Sequence, residues 1–376
     1  MKIAVNTRLL LKNRLEGIGW FTYETLKRIT CQHPEHEFIF LFDRKWDEEF
    51  IFSNNITPLV IQPQARHPFL FYFWFEYAVP KALKKTKADL FLSPDGYLSL
   101  STKIKSIAVI HDLNFEHYPQ DLPFWARHYY RYYFPKFAQK AVRIATVSEY
   151  SKNDIIQQYM VPADKIDVVY NGANEIFKPI SEEEKNATRK KYTDGASYFV
   201  FVGALHPRKN IARLFMAFDS FKKKYLSTIK LVIVGEKKWW TDEIHFAYNT
   251  MQYKADTIFT GRLYGKELRN VMATSLAMSY IPYFEGFGIP IIEAMQCDVP
   301  VITSSLTSMP EVSGDAALLV NPFSVDAISE AMLKIAKDEK LRKELIAKGQ
   351  QRRLNFSWDK TAEKLWTSIT TVIVPQ

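Results

Sequence analysis

Short apolar runs alternate with longer helix-like segments along the whole chain. In the first half the apolar runs are 3–5, 38–42, 90–92, 107–110, 144–147 and 168–170. In the second half they are 198–202, 231–234, 258–260, 278–281 and 299–303. Because these runs lack polar alternation and are separated by helical lengths, such as 20–29, they predict parallel strands with helices on both faces of each sheet. The predicted fold class is therefore α/β.

A polar, proline-marked stretch at 177–185 separates the two series and predicts a linker between two domains. Residues 1–175 form the first predicted domain, and residues 180–356 form the second. The last segment, 324–369, is helical by pattern and has Lys and Arg at its polar positions. A length of 376 residues agrees with two or three domains of about 150 residues each.

Composition and charge narrow the classes of protein that remain. The chain is 47% hydrophobic and 24% charged, which is typical of globular proteins and excludes collagenous or low-complexity chains. Its 50 Lys and Arg against 41 Asp and Glu give a net charge of +9, which favours acidic partners such as nucleotides, anionic lipid or nucleic acid. Cys31 and Cys297 lie far apart and outside any metal-ligand motif, so they indicate neither a disulfide framework nor a zinc site. Two unpaired cysteines are compatible with a reducing compartment such as the cytoplasm.

The sequence predicts neither a signal peptide nor a membrane span. The first apolar run is broken at 6–8 and no small-residue cleavage site follows, which favours a first strand. A membrane-spanning helix needs about 18 or more consecutive apolar residues, and no window has them. We therefore expect a protein that is not integral to a membrane.

The sequence EGFGIPIIEAM, from Glu285 to Met295, is the most informative stretch. It follows the run 278–281, its two glycines permit close backbone approach, and Pro290 fits the first turn of a helix. A strand, a glycine-rich turn and a helix N-terminus together form a seat for an anion. Two carboxylates beside that seat, Glu285 and Glu293, suit hydroxyl groups, so the stretch predicts binding of a sugar nucleotide. The alternative is that Glu285 caps the helix and Glu293 is solvated.

A second part of the predicted site follows the run 198–202. Gly203 begins the sequence GALHPRKN, which leads into a helix at Ile211. Arg208 offers a planar fork to phosphate oxygens and Lys209 offers a point charge, and together they neutralise a diphosphate without a metal ion. A solvated helix start is the alternative for this pair.

In this order along the chain, the motifs resemble those of the retaining GT-B glycosyltransferases of family 4, a group that includes bacterial mannosyl- and glucosyltransferases of glycan assembly. The motifs are Gly17-Ile18-Gly19, His111-Asp112, Val147-Ser148-Glu149, Asn171-Gly172, Pro207 to Asn210, Gly261-Arg262-Leu263, Glu285 to Glu293, Val301 to Ser304, Met309 to Ala317 and Phe356-Ser357-Trp358. The resemblance covers nearly the whole chain. It implies a GT-B fold, with two facing Rossmann-like domains, an active site in the cleft between them, and a last helix, 357–376, that crosses back to the first domain.

The resemblance also implies roles for individual residues. In the second domain, Glu293 would hold the nucleotide ribose, and Arg208 and Lys209 the diphosphate. Glu285 and the amides of Gly286, Phe287 and Gly288 would hold the donor sugar. Arg262 and Leu263 match a loop near the base. In the first domain, Gly17 and Gly19 match a loop that closes over the donor phosphates, and His111 matches a residue beside the reacting anomeric carbon.

Two positions depart from the family pattern. Glu16 stands where the N-terminal loop usually begins with a further Gly, and Asp298 stands where a Gly usually follows the site helix. Other chemistry is not supported: His111 and Asp112 lack the Gly-x-Ser-x-Gly elbow of a hydrolase, and the glycines at 17 and 19 lack the third glycine of a dinucleotide fingerprint.

Aromatic and basic residues are concentrated in two stretches of the first domain. One is Phe69 to Tyr77, which precedes Lys81, Lys84, Lys85 and Lys87; the other is Phe124 to Phe134. Between Phe124 and Arg143 there are five basic residues and no acidic one, namely Arg127, Arg131, Lys136, Lys140 and Arg143. Basic charge beside exposed rings suits an anionic membrane surface. The alternative places the rings in the core and the cations in solvent, and nucleic acid is a weaker third interpretation, since no recognised binding module is present.

The sequence therefore predicts a retaining hexosyltransferase that needs no metal or other cofactor. Its donor would be GDP-mannose or a UDP-hexose, its acceptor a glycan or a lipid-linked sugar, and its place the cytoplasm or the inner face of a membrane. Two alternatives stay open at this point: a GT-B sugar-nucleotide epimerase, and a non-catalytic protein that binds sugar nucleotides or acts as a scaffold at the membrane.

Overall fold

The computed structural model of the chain describes residues 1–65 and 67–373. The chain forms two compact units. The first is Met1–Gly172 together with the segment that begins at Ser357, and the second is Ala173–Phe356. Each unit is built on one parallel sheet, so the predicted α/β fold class with two Rossmann-like sheets is confirmed.

The helices and strands of the described residues are named in chain order. The strands are β1 (Lys2–Asn6), β2 (Glu37–Phe42), β3 (Ile56–Val60), β4 (Leu90–Ser93), β5 (Lys105–Val109), β6 (Arg143–Thr146), β7 (Ile166–Val168), β8 (Tyr198–Val202), β9 (Lys230–Val234), β10 (Thr257–Gly261), β11 (Ala277–Tyr280), β12 (Val301–Ser304) and β13 (Ala317–Val320). The α-helices are α1 (Gly17–Gln32), α2 (Pro68–Phe73), α3 (Val79–Thr86), α4 (Asn114–His117), α5 (Phe124–Lys140), α6 (Glu149–Tyr159), α7 (Glu182–Thr193), α8 (Ile211–Lys224), α9 (Asp242–Asn249), α10 (Gly265–Thr274), α11 (Ile289–Gln296), α12 (Met309–Ser313), α13 (Val325–Lys337), α14 (Glu339–Arg352) and α15 (Trp358–Ile373).

The sheet of the first unit has the strand order β3-β2-β1-β4-β5-β6-β7, with all neighbours parallel. The helices α2, α3, α5 and α6 bury one face of this sheet, where Trp74, Phe91 and Phe137 are fully buried. A π-helical turn, Trp74–Ala78, joins α2 to α3. The helices α1 and α15 pack against each other, and Arg28 Nε donates to Asp359 Oδ1 at 2.5 Å between them.

The sheet of the second unit has the order β10-β9-β8-β11-β12-β13, again with parallel neighbours. The helices α8, α9 and α13 pack together, as do α11, α12 and α14. The fully buried residues Phe199, Phe215 and Ile292 belong to its core. Because parallel strands share a direction, the carboxyl ends of β8, β10, β11 and β12 all lie at one edge of the sheet.

The chain re-enters the first unit at a crossing that requires glycine. A Cβ added at Gly172 would lie 2.3 Å from the backbone nitrogen of Trp358, so any larger residue would collide with the start of α15. The Trp358 ring then packs edge-on against Phe21 of α1, at 6.4 Å between centroids. The close approach of Gly172 to Trp358 brings together two motifs that are far apart in the sequence, Asn171-Gly172 and Phe356-Ser357-Trp358.

Three elements differ from the predicted pattern. The strands β3 and β13 are short edge strands that the apolar pattern did not identify; β3 contains Pro58, which an edge strand tolerates because it needs fewer ladder hydrogen bonds. The predicted linker at 177–185 is wrong in its second part. Ser181 caps α7 through a capping box with Glu184, so the acidic run Glu182-Glu183-Glu184 is the first turn of a helix.

In the described part of the chain, no helix combines the length and the apolar character that a membrane crossing requires.

Candidate active site

Two loops at the same edge of the second sheet contain the strongest sequence motifs. The strands β8 and β11 are neighbours, with Ala277 paired to Phe199, and a loop leaves the carboxyl end of each. The first loop, 203–210, leads to α8, and the second, 281–288, leads to α11. The topology therefore brings Arg208 and Lys209 beside Glu285, although they are far apart in sequence.

Arg208, Lys209 and Glu285 form one cluster of charges. Arg208 Nη1 donates to Glu285 Oε2 at 2.7 Å, and the Lys209 ammonium donates to the same oxygen. The Tyr280 hydroxyl, at the end of β11, donates to that oxygen at 3.0 Å and accepts from Lys209 Nζ at 2.6 Å. Two cations thus surround one carboxylate, and the cluster has one net positive charge.

The two cations keep Glu285 ionised. Burial alone would raise the pKa of its carboxyl, but the charges of Arg208 and Lys209 outweigh burial and lower this pKa to about 2. The alternative in which Glu285 caps α11 is wrong, because the N-cap residue is Gly288 and the carboxylate is turned towards the cations. The alternative in which Arg208 and Lys209 lie at a solvated helix start is wrong as well, since both are tied to Glu285.

Glu293 has the opposite environment. It lies in the second turn of α11 and is half-buried, and burial raises the pKa of its carboxyl to about 8. Among the described residues, no hydrogen-bond donor or cation pairs with this carboxylate. A carboxyl group that is held without a charge partner suits neutral hydroxyl groups better than it suits another charge.

The loop between these carboxylates presents backbone rather than side chains. Phe287 is buried and its ring packs edge-on against Phe356 at 5.6 Å between centroids. Gly288 has φ +88°, and an added Cβ would lie 2.8 Å from the terminal carbon of Met309, so both its conformation and its space require glycine. Gly286 lies between Glu285 and Phe287. Pro290 has no N–H and the Ile291 N–H donates to the Gly288 carbonyl at 3.0 Å, so Arg208, Lys209 and the helix dipole contribute to the positive field near α11 where these two positions do not.

Three residues to which the sequence analysis assigned no role hold these loops in place. Asn210, at φ +63°, donates from Nδ2 to the carbonyls of Ile281 at 3.1 Å and Pro322 at 2.6 Å, which ties the Arg208 loop to the end of β11. The buried Ser308 hydroxyl donates to the Glu285 carbonyl at 2.8 Å. Tyr280 is a third such residue, because its hydroxyl links Lys209 to Glu285.

The loop that the resemblance places near the nucleotide base lies at the same edge of the sheet. Arg262 and Leu263 follow Gly261, the last residue of β10, and both are half-buried. The Arg262 guanidinium lies 5.0 Å from the centroid of the Tyr264 ring. The strand β9 separates β10 from β8, so this loop is two strands away from the Arg208 loop.

Gly17 and Gly19 lie in the first turn of α1, a helix rather than a loop. A Cβ added at Gly17 would meet no atom within 4 Å, whereas one at Gly19 would lie 3.2 Å from a Leu15 methyl group and the Leu9 carbonyl. Packing therefore explains a small residue at Gly19 but not at Gly17. Glu16 is the N-cap residue of α1, and its side chain makes no cap bond.

His111 follows β5 in the first unit, and its ring is held by packing and by a hydrogen bond to the backbone. Its Nε2 donates to the Pro94 carbonyl at 2.8 Å, and its ring lies edge-on to Phe21 at 5.0 Å between centroids. Burial lowers the pKa of His111, so the ring is neutral at pH 7 and its Nδ1 is the acceptor nitrogen. The structure thus fixes the tautomer of this predicted site residue.

Models of two glycosyltransferase families match the chain. The model described as glycosyl transferases group 1 matches residues 182–352, and the model described as glycosyltransferase family 4 matches residues 17–175. Two curated relatives from Escherichia coli are similar. The O-antigen chain mannosyltransferase B is 29% identical over 279 residues, which is 74% of this chain and 73% of that protein. The serotype-specific mannosyltransferase WbdA is 27% identical over 268 residues, and the match spans only 32% of its length.

Solved structures have the same fold. The Anabaena protein HepE, in complex with UDP and glucose, superposes with a TM-score of 0.78 over 99% of this chain and 100% of that one, at 16% identity. At that identity the likeness shows the fold alone. Together the matches identify an enzyme that transfers glycosyl groups, which favours the transferase over the epimerase and the non-catalytic protein.

Proposed function

The chain belongs to the family 4 glycosyltransferases, and we propose that it transfers a hexose from a nucleotide diphosphate sugar to a hydroxyl group of a glycan or a lipid-linked acceptor. The observation that supports this most is the cluster of Arg208, Lys209 and Glu285. Its net positive charge lies at the carboxyl ends of β8 and β11, where open α/β sheets bind their ligands.

We assign the departing diphosphate to Arg208 and Lys209. Negative charge on this group grows as the sugar leaves, so a fixed positive field stabilises the transition state more than the bound donor. Phosphate oxygens would compete with the Glu285 carboxylate for the same donors, which would free Glu285 to accept from hydroxyl groups of the sugar. We further propose that these cations make a divalent metal unnecessary.

We assign the ribose to Glu293 and the region near the base to Arg262 and Leu263. A ribose offers two neighbouring hydroxyl donors, and one carboxylate accepts both. Since donors to the charged form lower a carboxyl pKa, nucleotide binding would ionise Glu293. The backbone at Gly286, Phe287 and Gly288 would contact the donor sugar, because the Phe287 side chain is buried.

The proposed donor is GDP-mannose, with UDP-glucose or UDP-N-acetylglucosamine second. The mannosyltransferase relatives support this order. The proposal includes retention at the anomeric carbon, which rests on the family, and a reaction in the cytoplasm at the inner face of a membrane. The free Cys31 and Cys297 agree with a reducing compartment.

A donor panel tests the proposal. Each nucleotide sugar is added at the same concentration. One that reaches about 100 times its dissociation constant stabilises the protein by about 2.7 kcal/mol and raises its melting temperature, whereas one that does not bind leaves it unchanged. GDP-mannose should then give transfer to a mannose-containing acceptor, with the anomeric configuration of the product determined by NMR, and EDTA should leave turnover unchanged. Stabilisation by UDP-sugars alone would reverse the donor order, and turnover that requires added Mn²⁺ would contradict the metal-free site.

A further inference from the structure

Most of the exposed aromatic rings of the first unit form two stripes, on neighbouring helical segments. On the segment from α2 to α3, Phe69, Phe73, Tyr77, Lys81 and Lys85 recur every four residues and are all exposed. The Phe69 and Phe73 rings lie 4.9 Å apart, and the Phe73 and Tyr77 rings 5.8 Å apart. The π-helical turn at Trp74–Ala78 lies within this stripe, and the contact between Phe73 and Tyr77 continues the stripe into that turn.

The second stripe runs along α5. Its exposed side chains are Phe124, Trp125, His128, Arg131, Tyr132 and Lys136, at the spacing of one helical face. The opposite face of α5 is buried and includes Tyr129, Phe134 and Phe137. The exposed fractions are large: 65% for Phe69, 60% for Tyr77, 54% for Phe124, 68% for Trp125 and 58% for Tyr132. These rings therefore do not form part of the hydrophobic core.

Tyrosine rings join the two stripes into one surface. Tyr72 lies 5.9 Å from Tyr77 on its own stripe and 6.4 Å from Tyr133 of α5, and Tyr133 lies 4.9 Å from Tyr132. We call the exposed residues of both stripes, together with the neighbouring Lys84, Lys87 and the half-buried Arg127, the aromatic-basic face. Contiguous exposed apolar surface of this kind is unusual on a soluble monomer and marks an interaction site.

The charge of this face is strongly positive. Lys81, Lys84, Lys85 and Lys87 lie at one end, and Arg127, Arg131 and Lys136 lie on α5. The one acidic residue of the α2–α3 segment, Glu76, accepts from the backbone N–H groups of Leu100 at 2.8 Å and Ser101 at 3.0 Å, so its carboxylate is turned away from the face. Glu116 pairs with one cation of this face, since Arg131 Nε donates to Glu116 Oε2 at 3.0 Å.

Two guanidinium groups border one pocket on this face. The pocket has a volume of about 420 Å³ and is lined by Pro119, Arg127, His128, Arg131 and Tyr132. Arginine pairs are suited to phosphate oxygens, and Tyr132 and Phe124 lie beside them. Arg143 does not belong to this face, contrary to the charge count of the sequence, because its guanidinium forms a two-bonded pair with Asp167 of β7.

We propose that the aromatic-basic face docks reversibly on an anionic lipid bilayer. The basic side chains contact lipid phosphates, with one headgroup in the Arg127 and Arg131 pocket, and the exposed rings enter the interfacial region. Aromatic rings and cations together match the two layers of a membrane surface, apolar below and anionic above, whereas nucleic acid would leave the phenylalanines of α2 without a partner. Docking would place a lipid-linked acceptor beside the enzyme, but it does not depend on the donor site.

Flotation with lipid vesicles tests this docking without any nucleotide sugar. The full chain should float with vesicles that contain phosphatidylglycerol and remain free with vesicles of phosphatidylcholine alone. Binding should fall at least about tenfold between ~50 mM and ~500 mM salt, because the charges are exposed. Arg127→Glu with Arg131→Glu should lower the vesicle affinity at least ~25-fold, at about fivefold for each basic residue removed. Phe69→Ser with Trp125→Ser should lower it as well.

Matched variants in the second unit provide the control. Lys340→Glu with Lys343→Glu reverses two exposed charges on α14, and Phe246→Ser removes a ring that is 65% exposed on α9. Neither should change flotation, and every variant should keep the far-UV circular dichroism and the melting temperature of the parent. Absence of flotation at low salt would overturn the proposal, as would equal losses in face and control variants.

A dimer in light scattering that Phe69→Ser with Trp125→Ser converts to a monomer would instead assign the face to a second copy of the chain. Thermal shifts with GDP-mannose should be unchanged in the face variants, so failure here is distinct from failure of the proposed transfer.

Discussion

Glu285 and Glu293 flank the N-terminus of α11, yet their surroundings are opposite. Glu285 accepts from Arg208, Lys209 and Tyr280, and these contacts lower its pKa to about 2. Burial raises the pKa of Glu293 to about 8, because no cation among the described residues compensates for the loss of solvent around its carboxyl. At pH 7 one carboxyl is ionised and the other is mostly protonated, although the same short motif supplies both.

The two environments suit Glu285 and Glu293 to different tasks, although their residue type alone does not distinguish them. A carboxylate fixed between cations holds those cations in position and shares them with an incoming phosphate. A neutral carboxyl in a half-buried position becomes ionised when the hydroxyl groups of a ligand donate hydrogen bonds to it. The comparison therefore predicts that changes around Glu285 affect turnover, whereas changes at Glu293 affect nucleotide binding and the response to pH.

The largest effect is expected for Arg208→Ala. Removing a donor that acts on growing transition-state charge should lower kcat by about 100- to 1,000-fold, with a smaller change in donor affinity. Steady-state kinetics and direct titration with GDP-mannose would measure both. Lys224→Ala, which removes an exposed ion pair with Glu330 at the far end of α8, serves as the control and should leave kcat unchanged. A loss of donor affinity with kcat unchanged would mean that Arg208 binds the ground state as strongly as the transition state.

Glu293→Ala should weaken the nucleotide sugar and the free nucleotide by the same factor. A hydrogen bond to a charged group contributes about 1.5 to 3 kcal/mol, so a loss of about 10- to 100-fold is expected in both dissociation constants. Isothermal titration with GDP-mannose and GDP would measure it. Unchanged nucleotide affinity would show that the ribose is held elsewhere.

The pH dependence of stability should also depend on Glu293. Its pKa in the folded state, about 8, lies above its ordinary value of 4.5, so the folded state binds the proton more tightly. This contribution to stability is complete below about pH 4.5 and is lost as the pH rises to 8, at about 1.4 kcal/mol per pKa unit. Glu293→Gln should therefore lose less stability than the parent between pH 5 and 8.5 in denaturant titrations. The Glu285 contribution has the opposite sign and is lost only as the pH falls from 4.5 towards 2.

The smallest change in stability is expected for Gly17→Ala. The added methyl group meets nothing within 4 Å, so the melting temperature should stay the same or rise slightly. The family resemblance assigns Gly17 to the closure over donor phosphates, and on that assignment turnover should fall. Gly19→Ala, where a Cβ would lie 3.2 Å from Leu15 and the Leu9 carbonyl, should lower stability instead. Full activity in stable Gly17→Ala would remove this residue from the site.

Much of this fold was predictable because buried parallel strands require uniform apolar runs. The predicted runs correspond to strands in both sheets, while the missed strands β3 and β13 lie at sheet edges, where short and mixed sequences suffice. The missed helix start at Ser181 had a local signal, since Ser followed three residues later by Glu is a capping box. It was obscured by the adjacent proline and the run of charges.

The site was predictable in its residue types but not in its pairings. Arg208, Lys209, Glu285 and Glu293 were all marked by their motifs. That Glu285 is bound by Arg208, at a sequence separation of 77 residues, depends on the neighbouring positions of β8 and β11 and could not be inferred from spacing. Tyr280, Ser308 and Asn210 gave no chemical signal of their own, because they act by fixing the loops that display the charged groups.

Proton release on donor binding tests the central comparison most directly. Calorimetric titration with GDP-mannose at pH 7, in two buffers of different ionisation enthalpy, counts the protons released; this donor has no group that titrates near that pH. The parent protein should release most of one proton, because the ribose hydroxyls ionise Glu293. Glu293→Gln should release none, and Glu285→Gln should still release it, since Glu285 is already ionised. Binding without proton release in the parent protein, or release that survives Glu293→Gln, would contradict the account.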